Sequence, residues 1–517
     1  MDARYIAVLE IGSSKVKGAV ARRDSDGTTL VATHEVPAVN CVRHGRVQNV
    51  QEVAARADEV LRRLENDPAV APRHITRLRI ALGGRSVSSV HAVADVRLPA
   101  EVEITDETVA RLKRDATASL PADRHILAVL PRSFTVDGAQ VSRPVGTFGT
   151  SIHADMTVVL ASPDNRTNLD RVRLTGGGSQ GTPVERVYIP RQLAIARMAL
   201  TPSEQQIGVA LIDMGSETTT ISIHREGSLQ ALVTLPMGGR NITRDLATGL
   251  SITEEQAEYI KTNQASAIPD PQLDTTAEAH EISSYTQARA GEIIANVMHR
   301  IEQAGFKNAD LPGGIVLTGR ASRMRRMAEL FETQTKMRVR TAPADNSVSP
   351  GNTGLDPLDS LDIMALVAWP DADNGESDLT ELPSRKEPED DVFSHKDDSE
   401  EYDDYNRKRP THGRNWRGDD DFDDNNLLKD DDKIEREREE REKRRRHEEE
   451  KERRRKEKGE IKLNKGNIDK PENEPDTDPD NGGRFGRLRN IITSLGKGFM
   501  GNKGPQDIDD DLIDDDL

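Results

Sequence analysis

Two stretches of the chain share one pattern of apolar and polar positions. Residues 7–20 read AVLEIGSSKVKGAV and residues 210–223 read ALIDMGSETTTISI. Each has an apolar run, an acid, an apolar residue, Gly-Ser, a short polar loop and a second apolar-rich run. Glu10 thus matches Asp213, Gly12 matches Gly215 and Ser13 matches Ser216. Each copy predicts strand, tight turn, strand. Glycine permits the turn and lets a ligand approach the backbone. One such hairpin is commonplace; the matched pair predicts two similar α/β domains facing one another, with a phosphate site at their turns.

Between and after the hairpins the periodicity alternates. Val53, Ala54, Ala57, Val60, Leu61 and Leu64 have helical spacing within 50–65. Residues 75–84 predict a strand ending in a Gly turn, and 103–120 a helix with Thr105 as N-cap. Residues 125–138 and 151–161 predict strands, so this stretch reads as a small α+β insert. Residues 235–263 place Gly238 and Gly239 at a strand end before a helix near Asn241, and Ser251-x-x-Glu254 has the form of a capping box. On the helix it would open, Glu258 and Lys261 share a face, the spacing of a solvated salt pair. Residues 293–304 predict a helix. Residues 314–324 predict a buried strand running into Gly319 and then a helix, an arrangement that suits a ligand at a strand's carboxyl end. Residues 331–342 and 358–369 complete the globular part. Gly176, Gly178 and Gly181 have dinucleotide-loop spacing, but they follow a helical segment and precede a strand. The order is the reverse of what a phosphate needs, and they read as a loop.

Composition divides the chain near residue 370. The last 147 residues carry 31 Lys+Arg and 47 Asp+Glu, a net of −16; the first 370 carry a net of only −2. The body is large enough for a real core. The tail is over half charged and cannot bury enough apolar area to offset chain entropy, so 371–482 is expected to be disordered. Aromatic residues make up 3%, which with the acidic balance argues against nucleic acid as a partner. A single cysteine, Cys41, excludes an internal disulfide framework or thiolate metal cluster. No apolar run reaches membrane-spanning length. The start, MDARYIAVLEIGSS, lacks signal-peptide character, which points to the cytoplasm.

Within the tail, 433–458 is almost wholly charged, with Glu-to-Arg pairs three and four apart that support an isolated helix. Residues 483–503 differ. Phe485, Leu488, Ile492, Leu495 and Phe499 fall on one helical stripe with Ile491 beside it, and Arg484, Arg487, Arg489 and Lys497 add positive charge. This predicts a short amphipathic helix lying in an anionic membrane interface. The acidic end, 504–517, should repel such lipid.

Several of these segments together resemble a known family. The paired hairpins, the Gly-Gly connection and Leu-Thr-Gly before a helix resemble the actin-fold nucleotide signature. The segments IALGGRSVSS, HILAVLPRSFTVDG, PVGTFGTSIHADMTVVLAS and PMGGRNITRDLATGLSITEEQAEYIK resemble the bacterial cell-division family FtsA. The resemblance covers residues 5–370 and, separately, the C-terminal helix. It implies an α/β, actin-like two-lobed fold: a first lobe of 1–81 and 162–205, an FtsA-type insert at 82–161, and a second lobe whose core is 206–238 and 311–370. The upper second lobe, 239–310, would dock the C-terminal tail of the tubulin-like protein FtsZ. It also implies ATP bound between the lobes, self-association into actin-like filaments, recruitment of other division proteins, and attachment to the cytoplasmic face of the membrane at the division site. A sugar kinase or a pilus-assembly adaptor of the same fold are the alternatives; the insert and the terminal helix fit the kinase poorly, and the pilus adaptor normally lacks that helix.

By motif match the resemblance places phosphates at the amides of Gly12, Ser13, Ser14, Lys15, Gly215, Ser216, Glu217 and Thr218. It places Mg²⁺, through water, at Glu10 and Asp213. Gly238 and Gly239 match the Gly pair near the nucleotide, Glu258 and Lys261 the groups flanking ribose and adenine, and Gly319 the Gly packed on adenosine. Four positions depart from the pattern. Glu10 stands for an Asp, Glu217 for a Gly, Thr220 for an Asp, and Arg320 for the second Gly of Leu-Thr-Gly-Gly. Glu217 is expected to add negative charge beside a triphosphate, and Arg320 to crowd or stack on the adenine. Any ATP hydrolysis is therefore expected to be weak.

Overall fold

The first hairpin pairs Arg4–Ile11 with Lys15–Asp24, setting Glu10 opposite Lys17. The second pairs Val209–Met214 with Thr219–Arg225, setting Asp213 opposite Thr220. The computed structural model describes residues 3–381 apart from 39, 175–183, 270–275, 343–344, 346 and 371–375. The Gly176–Gly181 loop, the charged segment 433–458, the apolar stripe of 483–503 and the acidic end lie outside the described residues.

Each hairpin founds a sheet with the same order of five strands, and the first adds a sixth, Val348–Ser349, parallel to Gly27–Pro37. In the first, Gly27–Pro37, Lys15–Asp24 and Arg4–Ile11 form an antiparallel meander, continued in parallel by Arg77–Leu82 and Glu185–Pro190. In the second, Ser228–Leu235, Thr219–Arg225 and Val209–Met214 form the meander, continued in parallel by Ile315–Thr318 and Val339–Thr341. The repeat seen in sequence is therefore a repeat of topology.

Side-chain alternation decides which helices each sheet buries. Ala7 and Leu9 face helix Val50–Glu65, whose Val53, Ala57, Val60, Leu61 and Leu64 form its buried stripe. That helix is capped by Asn49, which accepts the Glu52 amide at 3.1 Å. Ile6 and Val8 face the other way, onto helices Arg191–Ala199 and Leu361–Ala368. Val209 and Leu211 of the second sheet join that same cluster. The two sheets thus share a core through two helices held between them. Ala210 and Ile212 point to the far side, onto Gly239–Leu250 and Ala277–Gln303.

The insert is a four-stranded antiparallel sheet, ordered Ala139–Val141, His125–Val136, Phe148–Ala161, Ser88–Glu103. Helix Asp106–Ala118 covers it, with Thr105 as N-cap and Leu112 and Ala116 buried. Ser88–Glu103 escapes the periodicity reading above, although Val90, Ala92, Ala94, Val96 and Leu98 alternate along it with the exposed His91, Val93, Asp95 and Arg97; the apolar Val93 breaks the polar alternation.

Four expectations need correction. Ser251 opens no capping box: it ends the preceding helix in the left-handed conformation (φ 57°), and the cap is Thr253 with Gln256. The helix expected at 293–304 begins well before 293, at Ala277. A 3₁₀ turn, Arg320–Arg323, intervenes between Gly319 and helix Met327–Thr335. The body also does not end at 370. Leu379–Glu381 pairs antiparallel with Arg73–Ile75 in the first lobe. Leu379 enters the first core, and the wholly buried Asp378 accepts the Ala7 amide at 3.2 Å and Arg79 Nε at 3.3 Å. Charge-rich composition hid six residues that are held by backbone pairing and one buried acid.

Candidate functional site

Both hairpin turns open onto one cleft, lined by Glu10, Gly12, Ser13, Ser14 and Lys15 from one lobe and by Asp213, Gly215, Ser216, Glu217 and Thr218 from the other. Gly319 and Arg320 also line it. The two turns close alike. The Gly12 amide donates to Lys15 O at 2.9 Å, and the Gly215 amide to Thr218 O at 2.8 Å. The amides of Ser13, Ser14, Ser216 and Glu217 make no backbone hydrogen bond among the described residues. They are four donors at the cleft, the equipment an anion needs.

Gly238, Gly239, Glu258 and Lys261 do not line that cavity, but they stand behind the second turn as one group. The Gly239 amide donates to Gly215 O at 3.0 Å. Lys261 Nζ donates to Glu258 Oε2 at 2.6 Å, to Thr243 Oγ1 at 2.9 Å and to Gly239 O at 3.2 Å. The pair is therefore not simply solvated. Burial lowers the Lys261 pKa, and the charge of Glu258 opposes that shift. Gly319 has φ +83°, and a Cβ there would lie 2.4 Å from Met214 O. Only glycine allows the strand end to approach the second hairpin so closely.

The departing residues have partners that the sequence did not disclose. Glu217 is buried, and its carboxylate turns to the first lobe: Oε2 accepts the His44 amide at 2.6 Å, and Oε1 accepts Arg240 Nη1 at 3.2 Å. Its charge is neutralised by Arg240 rather than left beside the cleft. His44 and Gly45 form a turn with positive φ at both residues, and the Gly45 amide donates to Ser13 Oγ at 2.8 Å. One turn thus ties both hairpin loops. Arg320 does not lie free to stack on a base: its Nη2 reaches Glu35 Oε2 at 3.1 Å across the cleft, and Lys15 Nζ pairs with the same carboxylate. Thr220 Oγ1 lies 3.2 Å from Thr234 Oγ1 and carries no charge for chemistry.

Glu10 and Asp213 do come together, but not around space for an ion. Arg191 lies between them. Its Nη1 donates to Asp213 Oδ2, its Nε is 3.6 Å from Glu10 Oε1, and its Nη2 is 3.9 Å from Asp362 Oδ2. Lys17 Nζ pairs with Asp362 Oδ2 at 2.6 Å. Burial raises the Glu10 pKa, against the charge of Lys17. Burial would also raise that of Asp362, but the charges of Lys17 and Arg191 outweigh it and hold the carboxyl low. No cluster of three or more His, Cys, Asp or Glu side chains suited to a metal occurs among the described residues. The acids as they stand fit a guanidinium, not a metal. Arg191, Lys17, Asp362, Glu35 and His44 all escape sequence reasoning. Only Asp362 left a signal, as a lone acid in the apolar run LDIMALVA.

Two mixed sheets with the same order of five strands, sharing central helices and meeting at paired acid-x-Gly-Ser turns, define an actin-like fold, here with a small α+β domain inserted in the first lobe. The family model "Cell division protein FtsA" matches residues 210–354, and "SHS2 domain inserted in FTSA" matches residues 84–160. The cell division protein FtsA of Porphyromonas gingivalis is 30% identical over 369 residues, covering 66% of this chain and 74% of that protein. That of Rhizobium meliloti is 31% identical over 359 residues, covering 63% and 78%. The chain belongs to the FtsA family of bacterial cell-division proteins. Among solved structures, a PilM-PilN type IV pilus biogenesis complex aligns at TM-score 0.48 with 16% identity, covering 70% of this chain and 97% of that one. MreB 5 of Spiroplasma citri bound to AMPPNP aligns at 0.37 with 12% identity, covering 66% and 92%.

Proposed function

We propose that this chain is an ATP-binding, actin-like adaptor that anchors the FtsZ ring to the cytoplasmic face of the membrane at the division site. The observation that carries the reading is the coincidence, in one chain, of an FtsA body with its characteristic insert and an amphipathic basic stripe at 483–503.

ATP would sit in the cleft between the hairpins. The four turn amides would meet its phosphates. Gly238, Gly239, Gly319 and the Glu258–Lys261 pair would flank ribose and adenine. Arg320 belongs to this site as a clasp on Glu35. Little or no hydrolysis is expected, because Thr220 offers no acid and Arg191 covers Asp213. The same features speak against a sugar kinase.

The FtsZ tail would dock on the upper second lobe, 239–310, where Tyr259 is 63% exposed on helix Glu254–Asn263. Self-association into filaments would multiply the weak hold of single terminal helices. Among the described residues no helix is long and apolar enough to cross a membrane. Attachment is assigned to Phe485, Leu488, Ile491, Ile492, Leu495 and Phe499, with Arg484, Arg487 and Arg489 meeting anionic headgroups.

Co-sedimentation of the full chain with anionic vesicles, with and without FtsZ, tests this. The wild type should bind vesicles alone and carry FtsZ down with it. Leu495→Glu should stay in the supernatant with its fold unchanged. Full vesicle binding by Leu495→Glu at physiological salt would refute the anchor.

A further inference from the structure

We infer that Arg191 takes the place of a divalent cation at Glu10 and Asp213, so that this chain binds its nucleotide without dependence on Mg²⁺. The inference rests on the nucleotide reading above, but its basis is a feature of this chain's own residues. The acid of each hairpin is buried at the cleft, and both converge on one guanidinium from the first residue of helix Arg191–Ala199. The other members of this buried group are Lys17 and Asp362, which pair with each other. Three carboxylates therefore meet two fixed cations, leaving one net negative charge. A dication entering between Glu10 and Asp213 would have to displace Arg191 and would then repel it.

The geometry leaves little room for such an exchange. The one Asp213 oxygen without a hydrogen-bond partner, Oδ1, lies against Gly319, 2.6 Å from where a Cβ would stand. Arg191 is held by position as well as by charge. It follows Pro190, the end of a sheet strand, and Ala194, Ile195 and Met198 of its helix are packed in the core shared by the two lobes. The guanidinium offsets the two acids beside the hairpin turns, so that a polyphosphate does not face them bare.

The full chain is titrated with a fluorescent ATP analogue in MgCl₂ and again in EDTA. The two affinities should agree within about threefold; a loss of about tenfold or more in EDTA, the equivalent of about 1.4 kcal/mol, overturns the inference. A second measurement needs no nucleotide. Mn²⁺ binding to the nucleotide-free chain is followed by electron paramagnetic resonance in the wild type and in Asp213→Asn. The acidic tail contributes equally to both, so their isotherms should coincide; a site lost in Asp213→Asn overturns the inference. Arg191→Gln should gain a Mn²⁺ site that Glu10→Gln in the same background removes, and Arg191→Lys should gain none. Failure of a folded Arg191→Gln to gain a site also counts against it. If nucleotide binds in neither buffer, the nucleotide reading fails and the Mn²⁺ isotherms still decide the role of Arg191.

Discussion

The Glu217 carboxylate, on the second hairpin turn, accepts the backbone amide of His44, on the first lobe, at 2.6 Å. A second contact, His44 Nδ1 to Glu217 O at 3.0 Å, doubles the link. The position that departs from the glycine-rich pattern is thus a bridge between lobes. Glu217→Ala leaves the His44 amide without its acceptor and Arg240 without one of its two carboxylates. It should cost about 1–3 kcal/mol in urea unfolding. Glu217→Gln keeps an oxygen for His44 and should lose less. Equal losses for both would deny that the amide contact matters. Faster amide exchange at His44 and Gly45 should accompany Glu217→Ala.

Arg320 makes a different kind of bridge. Its partner Glu35 is 39% exposed, as is Arg320 itself, so the pair contributes little, on the order of 0–1 kcal/mol. Arg320→Gly should leave unfolding nearly unchanged and should not weaken binding of a fluorescent ATP analogue. A clear loss of affinity would mean that the side chain touches the nucleotide rather than Glu35.

His224 reports on the second lobe's core. It is buried on strand Thr219–Arg225, with Nε2 3.3 Å from Ser222 Oγ, and burial pushes its pKa down to about 4. The unfolded chain takes up a proton near pH 6.5 that the fold refuses. Stability should therefore fall as pH drops from about 6.5 towards 4, by about 1.4 kcal/mol per unit. Thermal unfolding between pH 7.5 and 5 checks this, and His224→Gln should flatten the slope. An unchanged slope in that variant would assign the acid sensitivity elsewhere.

The segment after residue 375 offers a fourth test. Asp378 is wholly buried against Ala7 and Arg79, and its own carbonyl accepts the amides of Thr76 and Arg77 at 3.0 and 3.1 Å. Asp378→Ala should destabilise the first lobe by about 3 kcal/mol, the scale of breaking a buried ion pair. Asp378→Asn should cost less. Limited proteolysis should cut Asp378→Ala near 376–381 first. If Asp378→Ala unfolds like the wild type, the pairing of Leu379–Glu381 does not secure the tail's exit.

The candidate site was legible wherever its chemistry is carried by backbone. The amides of Gly12–Ser14 and Gly215–Glu217 follow from a local turn that glycine marks, and both turns formed where the repeat put them. Residues whose meaning depends on side-chain partners were misread. Glu217 and Arg320 looked like charges facing a nucleotide, and each instead crosses the cleft to the opposite lobe. Ser251 looked like a helix cap because its spacing to Glu254 suits one, yet its left-handed backbone closes the helix before.

By itself the sequence determined the period of most strands and helices of the body, the duplication of the hairpin, the presence of an insert and the family. All of these are encoded by residues near one another in the chain, or by a pattern repeated in it. Tertiary structure alone decided which charges meet. Glu10, Lys17, Arg191, Asp213 and Asp362 are spread over most of the body's length, and no local spacing links them. They converge because two sheets share the helices that carry Arg191 and Asp362. Buried as they are, the three carboxylates require compensating cations, and the fold supplies Arg191 and Lys17, which they share.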